Sequence, residues 1–165
     1  MATHARWKPS VTVAAVVERD GRYLLVEEHT SDGLRLNNPA GHLEAGETLL
    51  QAVVREVLEE TACTFAPRAL VGVYLTRPPR AADEVTYLRF AFTGTVSAPE
   101  PGRALDAGIV RTLWLTPQEI EASRERHRSP LLWRCVQDHR AGQSFPLEVL
   151  GVEAGAPARH PGRHD

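Results

Sequence analysis

Apolar residues in this chain gather into short blocks separated by turn-forming residues, and two periodicities stand out. Val11 to Val17 is a continuous run of β-branched and small residues, which predicts a buried strand. Arg19-Asp20-Gly21-Arg22 follows, and Asp-Gly between two apolar runs is a strong hairpin signal, so Tyr23 to Glu28 is expected to complete a hairpin with the first strand. Ser31-Asp32-Gly33 marks a turn, and Leu34 to Asn38 reads as a short extended piece stopped by Pro39. Ala40 to Glu47 reads as a loop. Leu50, Val53, Val54, Val57 and Leu58 then recur at three- and four-residue spacing, one face of a helix with Thr48 as its N-cap.

Further strands are predicted at Ala69 to Thr76, Val85 to Val96 and Ile109 to Leu115, with loops at Pro78 to Asp83 and Pro99 to Gly108. Thr116-Pro117-Gln118-Glu119 carries the cap, the first-turn proline and the acid of a helix start. Ser129-Pro130 opens another helix to about His139. The polar segment through Pro9, with Trp7, is expected to lie over the body, and Gly151 to Asp165 reads as a loose tail. No repeat and no second domain is visible, so one domain is expected over 1–150 and a flexible tail over 151–165.

Composition narrows the function classes. The chain has 165 residues, 42% hydrophobic and 24% charged, enough for a packed core. A net charge of −2 is too weak a field to gather nucleic acid polymers, so any phosphate must be held locally. Cys63 and Cys135 form neither a disulfide framework nor a metal-ligand spacing, and are expected to be small core thiols. No run approaches a membrane span, and Met1 to Ser10 lacks the apolar centre of a signal peptide. A cytoplasmic protein is the expectation.

The charges on the helix near Leu49 carry the candidate chemistry. At about 100° per residue, Glu59 and Glu60 lie roughly 60° and 40° to either side of Glu56, crowding three carboxylates on one edge. A solvated acidic face is the bland alternative. Hard oxygen donors in this array suit Mg²⁺ or Mn²⁺, with water and substrate phosphate completing the shell. The preceding loop offers backbone groups near the helix start, where phosphate is favoured. Arg55, one position before the first carboxylate, can orient it or pair with Glu47.

Gly41, Glu47 and the core Arg55-Glu56-Val57-Leu58-Glu59-Glu60 resemble the Nudix box, the signature of the Nudix hydrolases, which spans 23 positions from Gly41 to Cys63. Six such matches arise by chance in this chain with probability on the order of 10⁻⁵. The resemblance extends to the preceding hairpin, the Asn38 to Glu44 approach, the Tyr87 to Phe92 strand and the Trp114 strand. Over Trp7 to Leu150 the chain looks like a bacterial phosphatase of the NudJ type. It implies an α+β Nudix fold, an α/β/α sandwich with a mixed β-sheet.

It also implies metal-dependent hydrolysis of a phosphate or diphosphate linkage, with Glu56, Glu59, Glu60 and the carbonyl of Ala40 as ligands for Mg²⁺ or Mn²⁺. Glu59 or Glu60 takes the proton of the attacking water if no loop acid does, and Arg55 with Glu47 aims the carboxylates. The small-molecule substrates implied are nucleoside di- and triphosphates and thiamine-pathway pyrophosphates. Arg89, alternating with Leu88 and Phe90, is a candidate phosphate contact, with a surface ion pair as its rival. Tyr87 on the same face is a candidate ring-stacking group, while His29 and His42 are ambiguous.

Two departures stand out. Ala62 replaces the glycine past the helix, where a left-handed cap is expected, and Cys63 stands for a branched aliphatic residue. The loop glutamate that many members place six residues before the tryptophan matching Trp114 is missing, leaving Asp106, Asp83 and Glu84 as candidates. The alternative activities are an ADP-sugar pyrophosphatase, suggested by Pro78 sixteen positions after Ala62, and a non-catalytic nucleotide sensor.

Overall fold

The structure, a computed structural model, describes residues 6–77 and 85–151. The expected Pro78 to Asp83 loop, the candidate acids Asp83 and Glu84, and the tail from Val152 lie outside the described residues. In chain order the elements are β1 (Ser10–Val16), β2 (Glu18–Arg19), β3 (Arg22–Thr30), β4 (Gly33–Asn37), β5 (Ala40–His42), α1 (Leu49–Thr61) and β6 (Phe65–Thr76). These are followed by β7 (Tyr87–Val96), β8 (Ile109–Leu115), α2 (Pro117–Ala122) and α3 (Leu131–Arg140).

One sheet runs β5-β1-β7-β6, and it is mixed: β1 lies parallel to β7, while β5 and β6 are antiparallel to their neighbours. In the other, β3 pairs antiparallel with β2, β4 and β8. One core joins Ala52, Val53 and Val57 of α1 to Val13, Ala15 and Phe92 of the mixed sheet and Leu24 of β3. A second joins Leu132, Cys135 and Val136 of α3 to Val16, Val71 and Ala91, with Leu25 and Leu36 from the second sheet. A helix therefore covers each face of the mixed sheet, the α/β/α sandwich of an α+β protein. Cys63 and Cys135 are free and buried. No helix among the described residues is long and apolar enough to cross a membrane.

Three strand expectations need correction. The Asp20-Gly21 turn forms, with both residues at positive φ (52° and 74°), but its hairpin joins β3 to the two-residue β2. The Val11 to Val17 run belongs instead to the mixed sheet, between β5 and β7. An unbroken β-branched run suits a strand buried on both faces next to a parallel neighbour better than a hairpin arm, which alternates. Ala40 to His42, expected as loop, is a short edge strand on β1. The strand expected from Ala69 starts at Phe65, since Pro67 is tolerated on the sheet-edge strand β6, where the register shifts beside it. At the N-terminus Trp7 is 60% exposed, not laid over the body.

Candidate active site

Local sequence fixes where α1 begins and ends. Thr48 accepts from the Gln51 N–H and Gln51 returns a bond to the Thr48 N–H, a capping box at 3.2 and 2.8 Å. Ala62 closes the helix in the left-handed region at φ 59°, the conformation expected of the residue in that place. Between these caps the apolar stripe turns inward, and the Arg55, Glu56, Glu59 and Glu60 edge faces β5.

The β5 ladder explains why backbone and carboxylates meet there. Leu43 donates to Val11 O and Ala15 donates to Pro39 O, at 3.0 and 2.9 Å. Bonded and non-bonded pairs alternate along an antiparallel ladder, so the N–H and C=O groups of Ala40 and His42 point away from β1. The Ala40 N–H accordingly donates to Glu60 Oε2 at 2.9 Å, and the His42 carbonyl accepts from Arg55 Nη2 at 2.9 Å. Gly41 between them is required by contact: a Cβ there would stand 2.1 Å from the Glu56 carboxyl carbon. This accounts physically for the first glycine of the 23-position pattern.

Arg55 organises the charges. Its Nε and Nη2 donate to the two oxygens of Glu47 at 3.0 and 2.7 Å, a bidentate pair, while Nη1 donates to Glu56 at 2.8 Å and Glu59 at 3.1 Å. Arg55 thus bonds both partners the sequence offered it, Glu47 and Glu56. The pairing holds Glu47 below the usual carboxylate range and Arg55 above that of a guanidinium. Burial pushes Glu56 up against the pull of Arg55, with Glu59 and Asp106 adding repulsion. Glu60 is pushed up to about 8, first by burial and then by Glu56, Glu28 and Asp106, against the lowering effect of the Ala40 N–H.

Among the described residues no three acidic, His or Cys side chains converge as a ready-made cation cage, because Arg55 stands among them and bonds two. In kind the donors suit Mg²⁺: hard oxygens from Glu56, Glu59 and Glu60, with the Ala40 carbonyl on the outward edge of β5. Asp106 stands close enough to repel both Glu56 and Glu60, and its N–H bonds the Glu59 carbonyl at 2.9 Å. Of the three substitute acids, it is the one that the described structure brings near the helix.

Cross-strand register assembles a second set of candidate residues on the mixed-sheet face that α3 covers. His42, Thr12, Arg89 and Tyr74 stand side by side across β5, β1, β7 and β6 and so share one face. Arg89 is not the surface ion pair offered as its rival reading. It is 9% exposed, and its Nε and Nη1 have no partner among the described residues. Burial lowers its pKa and Arg128 adds to this, against the opposing pull of Cys135, Glu28 and Glu60. Tyr87 shares this face half-buried, its ring 6.1 Å from that of the exposed His42. His29 is exposed, and its backbone N–H bonds the Gly108 carbonyl.

Sequence reasoning missed Glu27 and Glu28, both buried. Glu27 accepts from Arg111 at 2.8 Å and from Arg126, and Glu28 Oε2 accepts from Arg128. Two acids ending an otherwise apolar strand are the signal that was available, because burial there demands partners.

A NUDIX domain model matches residues 6–134. Phosphatase NudJ of Escherichia coli K12 is 37% identical over 145 residues, covering 88% of this chain and 92% of that protein. NudJ of Shigella flexneri matches to the same extent. A NUDIX hydrolase from Nitrosomonas europaea superposes with a TM-score of 0.85 at 49% identity, covering 90% of this chain and 99% of that one. A MutT NUDIX hydrolase from Burkholderia pseudomallei, 18% identical with a TM-score of 0.67, shares the fold. With the box residues gathered on α1 and β5 and this likeness running through nearly the whole chain, the protein belongs to the Nudix family and is a hydrolase.

Proposed function

We propose that this enzyme releases orthophosphate from nucleoside di- or triphosphates or thiamine-pathway pyrophosphates, with Mg²⁺ or Mn²⁺. The observation that carries the reading is the gathering of Glu56, Glu59 and Glu60 on one edge of α1 against the free backbone of Ala40 and the glycine at 41. Likeness to relatives named phosphatase supports it.

In this reading Glu56, Glu59, Glu60 and the Ala40 carbonyl would hold the cation, which when bound would supply charge neutralisation at the phosphoryl oxygens and activation of water. Arg55, fixed by Glu47, keeps Glu56 and Glu59 aimed. Glu59 or Glu60 receives the proton of the attacking water. Arg89 takes phosphoryl oxygens, and Tyr87 offers a ring face to the organic group.

The test is a product-resolved panel of nucleotides, thiamine-type pyrophosphates and ADP-sugars with Mg²⁺, repeated with EDTA. Orthophosphate from several substrates, abolished by EDTA, is the expected result. Cleavage confined to ADP-ribose, yielding AMP, would replace this reading with that of an ADP-sugar pyrophosphatase. Nucleotide binding without any turnover would replace it with that of a sensor.

A further inference from the structure

Glu27 and Glu28 lie buried near the end of β3, and three arginines from later in the chain converge on them. Arg111 on β8 donates to Glu27 Oε2 at 2.8 Å, Arg126 bonds Glu27 Oε1, and Arg128 bonds Glu28 Oε2. The segment carrying Arg126 and Arg128 is held against β4, where His127 bridges Leu36 and the Arg128 N–H donates to the Leu36 carbonyl at 2.9 Å. Arg126 and Arg128 flank the extended His127 and so leave the chain on one side, whereas successive glutamates on a regular strand face opposite ways. The register of β3 against β8 shifts between Glu27 and Glu28, an irregularity of the kind that re-aims a side chain, and both carboxylates meet the arginines.

Neutralising two buried carboxylates does not require this arrangement. One guanidinium can take both oxygens of a carboxylate, as Arg55 does with Glu47. Glu27 instead takes one nitrogen from each of two guanidiniums, which holds two like charges one carboxylate apart, and Arg128 brings a third to the neighbouring glutamate. Three positive charges over two negative ones leave a surplus. The flanking charges do not cancel it: Arg35 lies 3.5 Å from the carbonyl of the exposed Glu125, and Arg124 pairs with Glu121 at 2.8 Å. The Arg111, Arg126 and Arg128 side chains stay 59%, 42% and 53% exposed while their glutamates are buried, so the guanidiniums form the outer layer. Each bonds its glutamate through one nitrogen, and its other two have no protein partner among the described residues.

Neighbouring forks with a positive surplus and free outward donors suit an anion with several oxygens and more than one charge. A phosphate group accepts from two or three guanidiniums at once, and a planar fork matches its oxygens in a way a point charge does not. The glutamates hold the arginines in place before any anion arrives, so little side-chain freedom is lost on binding. We propose that Arg111, Arg126 and Arg128 form a binding site for a phosphate group, anchored by Glu27 and Glu28 and built without any residue of α1 or β5. The phosphate is free orthophosphate or one carried by a nucleotide; both present the same oxygens to the forks.

The test is calorimetric titration of inorganic phosphate into the metal-free protein in EDTA, with ionic strength held by chloride because exposed charges are screened. Removing arginines alone would strand a buried carboxylate. The comparison is therefore between wild type, Glu27→Gln, and Glu27→Gln combined with Arg111→Gln and Arg126→Gln, with melts to confirm folding. Wild type is expected to bind phosphate with millimolar affinity or better. In Glu27→Gln the lost anchor and the gained positive charge oppose one another, so binding should stay within about threefold of wild type, while the triple variant should bind at least about tenfold more weakly. No binding by wild type at millimolar concentration, or a triple variant within about threefold of it, would overturn the inference. ADP titrated in the same way separates the two sources. A parallel loss in the triple variant assigns the site to a nucleotide's phosphate, and unchanged ADP binding assigns it to free phosphate. No turnover is read, so this result stands or falls apart from the hydrolytic role of the α1 edge.

Discussion

At the scale of single residues, Glu60 is held by the Ala40 N–H yet pushed up to about 8 by burial and by Glu56, Glu28 and Asp106. Its pKa in the folded protein lies above the ordinary glutamate value of 4.5, so between the two values the folded state holds a proton that the unfolded chain has already lost. The favourable contribution of that proton is complete below about pH 4.5 and disappears as pH rises towards about 8. Metal-free protein is therefore expected to lose stability across this window, and Mg²⁺ to restore it more strongly at the alkaline end. Binding of Mg²⁺ near pH 7 should release about one proton, since ligands must be deprotonated. Calorimetry in two buffers of different ionisation enthalpy reads that release directly. Absence of a released proton would remove Glu60 from the cation's ligands.

At the scale of elements, α1 was legible because its signals are local. The three- and four-residue spacing, the Thr48 cap and the stop at Thr61 all lie within one stretch of chain. Ala62 shows how two local terms compete. Its left-handed φ costs about 1 kcal/mol relative to glycine. Its buried methyl contributes about 0.8 kcal/mol, since the residue is only 4% exposed. The two nearly cancel, so Ala62→Gly is expected to change unfolding free energy by less than about 0.5 kcal/mol, as read from denaturant midpoints. A gain above about 1 kcal/mol would mean the methyl contributes nothing. Strand pairing was less legible. Asp20-Gly21 specifies its turn, but nothing nearby says that the strand before it leaves for another sheet, which depends on β7, some 70 residues later.

At the scale of the whole molecule, the two sets of candidate residues differ in how far the sequence exposes them. The wall carrying Glu56, Glu59, Glu60, Arg55 and Glu47 is one helix and the loop before it, where spacing alone also fits a solvated acidic face and the resemblance to the Nudix box singles the residues out. The other set depends on long-range register: Thr12 meets Arg89 through parallel pairing of β1 and β7, and Glu28 meets Arg128 across 100 residues. Arg89 was visible only as an alternating charge in an apolar strand, and its burial without a partner emerges only once both sheets are assembled. Asp106 reaches the helix for a similar reason, through its backbone bond to Glu59.

The central claim is that the α1 edge and the free backbone of β5 form a cation-dependent phosphohydrolytic centre. The most direct test is the initial rate of orthophosphate release across a Mg²⁺ titration, for wild type and Glu60→Gln side by side. The account predicts a saturable rise with Mg²⁺ in wild type. It also predicts a loss of about 10²–10³-fold in Glu60→Gln at saturating substrate, with the fold intact by circular dichroism. A Glu60→Gln enzyme within about threefold of wild type, or a wild-type rate indifferent to Mg²⁺, would contradict it.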